Sequence, residues 1–154
     1  MTRQVLGTLI VTVTLLAGCG EGEPVTSNPD LDRAAIQERV VTYVRAMLGG
    51  DGEKACAQLT PEFRRATDER ARTAGLPGCV ETFSLHGEAI GGTAPKGFAA
   101  ELADPDRVLV TLSGDRAEAA LVLASGRVSR TRTTLRRVGA QWLIDGLGVT
   151  RTGG

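Results

Sequence analysis

The stretch Val108-Leu109-Val110-Thr111-Leu112-Ser113-Gly114-Asp115-Arg116-Ala117-Glu118-Ala119-Ala120-Leu121-Val122-Leu123 decides the fold class, because here the chain stops repeating at helical spacing. Residues 108–112 are a compact β-prone run, and Ser113-Gly114-Asp115 is a three-residue turn. Residues 116–123 then read as the returning strand. Ala124-Ser125-Gly126 turns the chain again into a long third strand over 127–138. Gly139-Ala140 is a tight connection, and 141–147 completes a fourth strand with Trp142 and Ile144 on one face. Consecutive strands with short turns make an antiparallel meander.

Upstream, the period is helical. Asn28 can cap free amides, Pro29 suits a first helical turn, and Asp30 and Asp32 complement the helix dipole. Ile36, Val40, Tyr43, Val44, Met47 and Leu48 then recur three and four apart, which predicts a helix over 29–48 ended by Gly49-Gly50. Asp51-Gly52-Glu53 opens a short second helix carrying Ala55, Cys56 and Leu59 inward. Thr60-Pro61 repeats the cap-then-proline start for a third helix over 61–74, with a charged surface and a narrow seam of Phe63, Ala66 and Ala71. After Leu76-Pro77-Gly78, residues 79–83 look like one or two further helical turns. Residues 86–105 are broken by Gly87, Gly91, Gly92, Pro95, Gly97 and Pro105, with room for one short strand over 97–102. Helices followed by a meander make an α+β domain, expected as N-terminal helices packed on a curved antiparallel sheet.

Composition excludes some partners. The chain has 154 residues, formal net charge +0 and a pI near 6.6, which argues against nucleic acid or a polybasic membrane patch. Aromatics make up 3%, so the core must be built from Val, Leu, Ile and Ala.

At the N-terminus, Arg3 precedes an uncharged run over 5–16, too short to span a bilayer, that ends in Leu15-Leu16-Ala17-Gly18-Cys19. This resembles the lipobox of bacterial lipoproteins at every position. The resemblance implies cleavage before Cys19, lipidation of its thiol and anchoring at the extracytoplasmic face of the cell membrane. It divides the chain into a signal peptide over 1–18, a flexible tether over 19–28, a single domain over 29–148 and a C-terminal tail over 149–154. It also sorts the three cysteines. With Cys19 on lipid, Cys56 and Cys79 remain as a pair outside the reducing cytosol and read as a disulfide. The competing reading, a metal or nucleophilic thiol, needs further Cys or His partners, and His86 is the sole histidine.

The helix over 36–48, the Gly49-Gly50-Asp51-Gly52 break, Cys56-Ala57-Gln58-Leu59-Thr60-Pro61 and the hairpin over 135–144 together resemble the cystatin-like cone of the nuclear-transport-factor-2-like superfamily, and more narrowly the small actinobacterial lipoproteins that carry such a domain. Enzymes of that superfamily act through Asp, His or Tyr inside the cone. The corresponding candidates here are Tyr43, His86 and Asp145. Each also has a plainer reading: Tyr43 as a core residue with its hydroxyl at the rim, His86 in a surface loop, Asp145 in a turn at a strand end. Tyr43 is the candidate pocket residue. No phosphate loop, zinc signature or nucleophile elbow is present, so no cofactor and no metal are expected.

Arg127, Arg130, Arg132, Arg136 and Arg137 follow one another without an intervening acid. A regular strand puts Arg130, Arg132 and Arg136 on one face, where they could contact an anionic partner. The plainer reading pairs them with carboxylates on neighbouring strands, such as Glu118. The leading expectation is a non-enzymatic, membrane-anchored module that binds a small ligand or an envelope protein, with self-association through the sheet left open. A lipid-anchored isomerase- or cyclase-like enzyme is the second class, and a spacer domain the third.

Overall fold

The computed structural model describes residues 28–91, 102 and 104–149. The signal peptide, Cys19, most of the tether, most of the strand expected over 97–102 and residues 150–154 of the tail lie outside the described residues. The fold is α+β: helices α1 (Pro29–Leu48), α2 (Gly52–Cys56), α3 (Pro61–Thr73) and α4 (Cys79–Gly91) precede strands β1 (Val108–Ser113), β2 (Arg116–Leu121), β3 (Thr131–Val138) and β4 (Gln141–Val149). The strands form one open antiparallel sheet in the order β1-β2-β3-β4. Among the described residues, no helix is long and apolar enough to cross a membrane.

The caps expected from sequence are formed. Asn28 Oδ1 accepts from the Asp30 and Leu31 amides at 3.0 and 3.4 Å, and Thr60 Oγ1 accepts from the Phe63 amide at 3.2 Å. At the far end of α1, Gly49 stays right-handed and Gly50 takes the positive φ of 71°. The apolar stripe of α1 is broader than its spacing suggested, since Val41 and Ala46 are buried beside Ile36, Val40, Tyr43 and Val44. The reason is that α1 is covered on two sides, by the sheet and by α2 with α4. Ile36, Val40, Val41, Val108, Leu135 and Ile144 are all at most 2% exposed and mark the centre of the core.

Both sheet edges are occupied. On the β1 side, Arg33 and Gln37 of α1 donate to the Val110 and Val108 carbonyls at 2.8 and 3.0 Å. On the β4 side, residues 58–60 run parallel to it: the Ile144 amide donates to Gln58 O at 2.9 Å and the Thr60 amide to Ile144 O at 2.8 Å. Leu59 is therefore buried as part of this short extra strand, and not on α2, which ends at Cys56. Such coverage blunts edges that would otherwise invite strand addition.

Several expected boundaries move. The second strand stops at Leu121 and the third begins at Thr131, because 122–130 is a loop closed by a Val122–Val128 bridge and by hydrogen bonds from Leu123 N to Arg127 O and Ser129 N to Leu121 O. The fourth strand continues to Val149, where it still pairs with Thr131. The largest correction is α4, which runs on to Gly91 through residues that looked like loop.

Packing explains that helix. A Cβ on Gly87 would stand 2.3 Å from Gly50 N and 2.6 Å from Met47 O, and one on Gly52 would stand 2.0 Å from Val80 O. The two glycines let α4 approach the α1–α2 corner backbone to backbone. Gly87→Ala should therefore destabilise the domain by about 1–3 kcal/mol, despite the better helix propensity of alanine. Urea unfolding measures this, and a stability equal to or above wild type would show that the backbones are not so close.

Candidate functional site

The C-terminal half of α1 and the facing side of the sheet flank a partly open pocket of about 290 Å³. Tyr43, Val44 and Met47 form the helix wall. Leu121, Leu123, Thr131, Thr133 and Leu147 contribute from the strands and the loop after β2, with Leu102 and Ser129 completing the lining. Strand alternation puts these side chains here: Leu121, Thr133 and Leu147 belong to the same face as the buried Ala119, Leu135 and Ile144. Among the described residues, no Asp, Glu, Lys, Arg or His lines this pocket.

Tyr43 is its distinctive residue. It is 3% exposed and meets Phe83 edge-on with ring centroids 5.6 Å apart. Its hydroxyl is buried and makes no hydrogen bond among the described residues. Burial pushes the phenol up to about 12, so it stays neutral and protonated across the physiological range. The hydroxyl expected at the rim is thus inside. Buried donors without partners are uncommon, because each costs about 1–3 kcal/mol.

The other candidate acid and base lie elsewhere. His86 is exposed on α4, on a helix where a loop was expected. Asp145 is neither in a turn nor at a strand end. Thr134 pairs with Gly146 and Leu135 with Ile144, so Asp145 is the extra residue of a bulge within β4. It accepts from Thr60 Oγ1 at 2.9 Å and sits 3.4 Å from an Arg136 nitrogen. The same guanidinium is 2.6 Å from Glu62 in the first turn of α3, so this network fixes α3 against the sheet. The Glu62 carboxyl is held below its usual range by its own backbone amide first and by Arg136 second.

The arginine row splits as strand geometry requires. Arg132 lies 3.2 Å from Glu118 on β2 and also donates to Ser129 O, in line with the plainer reading. With Arg136 paired to Glu62 and Asp145, two of the three candidate anion contacts have carboxylate partners. Arg130 is exposed in the loop before β3. Arg137 faces the other way: it ion-pairs with Asp32 of α1 and stacks over Trp142, 4.7 Å from the ring centroid. Trp142 Nε1 donates to Asp32 Oδ1 at 3.1 Å. That indole bond, then Arg137, hold the Asp32 carboxyl below its ordinary value against the opposing effect of burial. Sequence reading assigned Asp32 only to the helix dipole and overlooked this cluster. A signal existed, because of two adjacent arginines on a strand one must point inward.

Cys56, the last residue of α2, and Cys79, the first of α4, form a disulfide with Cα atoms 6.2 Å apart. Both are 1% exposed. A second groove, of about 280 Å³, lies between α3 and α4 and shares Leu147 with the first pocket. It carries Phe63 with Arg70 5.7 Å above the ring. No family model matches the chain, and no curated protein or solved structure matches it significantly.

Proposed function

We propose that this chain is a lipoprotein, anchored through Cys19 at the extracytoplasmic face of the cell membrane, whose domain is a cystatin-like cone that binds a small ligand and carries out no chemistry on it. The observation that carries the binding reading is the pocket between α1 and the sheet, mostly apolar over its described lining, with the hydroxyl-bearing Ser129, Thr131 and Thr133 at its sheet side. Ligand sites are typically built in this way, from apolar walls with a few placed polar groups. General acid–base catalysis needs a titratable group within hydrogen-bond reach of the reacting atom. Among the described residues the only titratable group lining the pocket is a phenol shifted to about 12, and this favours a binder over an isomerase or cyclase. The anchor rests on the complete lipobox pattern ending in Cys19.

The two halves have separate tests. Cys19→Ser is expected to abolish incorporation of labelled palmitate and to release the protein from the membrane fraction; undiminished labelling overturns the anchor. Native mass spectrometry of protein extracted from its own membranes is expected to show a small non-covalent adduct. Protein that consistently arrives empty counts against the binder.

A further inference from the structure

The groove between α3 and α4 has walls of its own and shares only Leu147 with the pocket between α1 and the sheet. We propose that this groove binds an amphiphilic carboxylate: a small molecule whose apolar ring or short acyl body lies in the groove and whose acid group meets the Arg70 guanidinium. The proposal goes beyond the binding reading and does not depend on it, because a different cavity carries it.

The walls select the apolar body. Phe63, Thr67, Arg70, Ala71 and Ala74 recur three and four apart, so one face of α3 lines the groove, with Leu76 beyond its end. Phe83 of α4 and Leu147 of β4 stand across from it. Leu147 is 43% exposed, so apolar surface lies open to water, and a ligand body would cover it. Neither hydroxyl in the lining needs a partner across the groove: Thr67 Oγ1 donates to Phe63 O at 2.9 Å and Thr82 Oγ1 to Gly78 O at 2.8 Å. The volume of about 280 Å³ equals that of roughly nine waters in the liquid at ~30 Å³ each, room for a bicyclic ring.

The charge selects the head. Arg70 is the one ionisable residue in the described lining, exposed over the Phe63 ring at 5.7 Å from the centroid. Among the described residues its guanidinium has no carboxylate partner. Of the acids next to it in the chain, Asp68 accepts from the Cys79 amide at 2.7 Å, and Glu69 is outside the lining. A planar guanidinium with five donors suits a carboxylate, whereas an ammonium head would meet like charge.

The test uses the full-length mature protein in a neutral detergent, with empty micelles as the blank, and three probes of similar shape: 2-naphthoate, 2-naphthamide and 2-naphthylmethylammonium. Calorimetric titration is expected to rank the acid above the amide by roughly threefold to fivefold, the size of a partly exposed ion pair, with the ammonium weakest. High salt should shrink that preference. Arg70→Gln should remove it and leave the amide binding as before, while Arg70→Lys keeps part of it. Ala74→Phe, which puts a ring into the groove and touches no residue of the other pocket's lining, should weaken all three probes by about tenfold or more. Arg70 and Ala74 are both exposed, so these variants should melt close to wild type. Equal binding of acid and amide by wild type overturns the acid head. An acid preference that survives Arg70→Gln overturns the role of Arg70. Binding that Ala74→Phe leaves intact places the probes elsewhere and overturns the groove as their site. Failure of every probe overturns the site outright, and a dimer in sedimentation that Ala74→Phe breaks would give the groove to a second copy instead.

Discussion

Truncating Ile144 to alanine should lower the stability of the domain by about 2–5 kcal/mol, the range for large-to-small changes in a closed core. Ile144 is 0% exposed, stands opposite Leu135 on β3 and carries the backbone hydrogen bonds that hold residues 58–60 against β4. Those bonds use main-chain atoms, so alanine keeps them and the loss reports side-chain packing alone. Collapse around the hole is restricted, because the β4 bulge at Asp145 is fixed from Thr60 and Arg136. Urea unfolding should show a lower midpoint with an unchanged slope. Leu109→Ala supplies the contrast: that side chain is 51% exposed on the opposite face of the sheet and should cost well under about 1 kcal/mol. Similar losses at the two positions would mean that the core does not lie between α1 and the sheet.

Removing the disulfide as Cys56→Ala with Cys79→Ala should cost about 3 kcal/mol, from the chain entropy regained by an unfolded loop whose ends are 23 positions apart. For a domain of this size that is a fall in melting temperature on the order of 10–15 °C. The bond matters here beyond its loop length. With 5 residues, α2 is far too short to persist alone, and Asp51 capping the Lys54 amide at 3.0 Å adds little. Cys56 ties it to the start of α4, where the Cys79 amide donates to Asp68 of α3 at 2.7 Å. Three helices therefore converge on one buried bridge. Calorimetric melting of the double variant checks this, and an unchanged melting temperature would show that helix packing alone holds α2. Both sulfurs are buried, so the native protein should also resist mild reductants.

Local rules carried much of the reading. Asn28, Pro29, Thr60 and Pro61 start helices wherever they are placed, since a cap needs only a short side chain beside free amides. The shift from helical spacing to alternation before Val108 separated helices from sheet, and the turns at Gly114 and Gly139 set an antiparallel order because few residues can connect strands in no other way. The pairing of Cys56 with Cys79 followed once Cys19 was given to lipid, and geometry agrees with it.

What only the tertiary structure decided involves contacts between residues far apart in the chain. Gly87 reads as a helix breaker by propensity, yet it lies inside α4 because a backbone 37 positions earlier, at Gly50, occupies the space of its missing side chain. Leu59 reads as the last apolar residue of a helix, and the open edge of β4 draws it into a strand. Asp145 has an ordinary turn signature beside Gly146 but becomes a bulge that meets Thr60 and Arg136. Tyr43 belongs to a periodic apolar stripe either way, and periodicity cannot tell whether its hydroxyl reaches solvent. That depends on where Phe83 and the far strands close over it. Sequence alone determined which segments bury a face, because that follows from local spacing. Which polar atoms were left inside without a partner among the described residues depended on the assembly of the helices with the sheet.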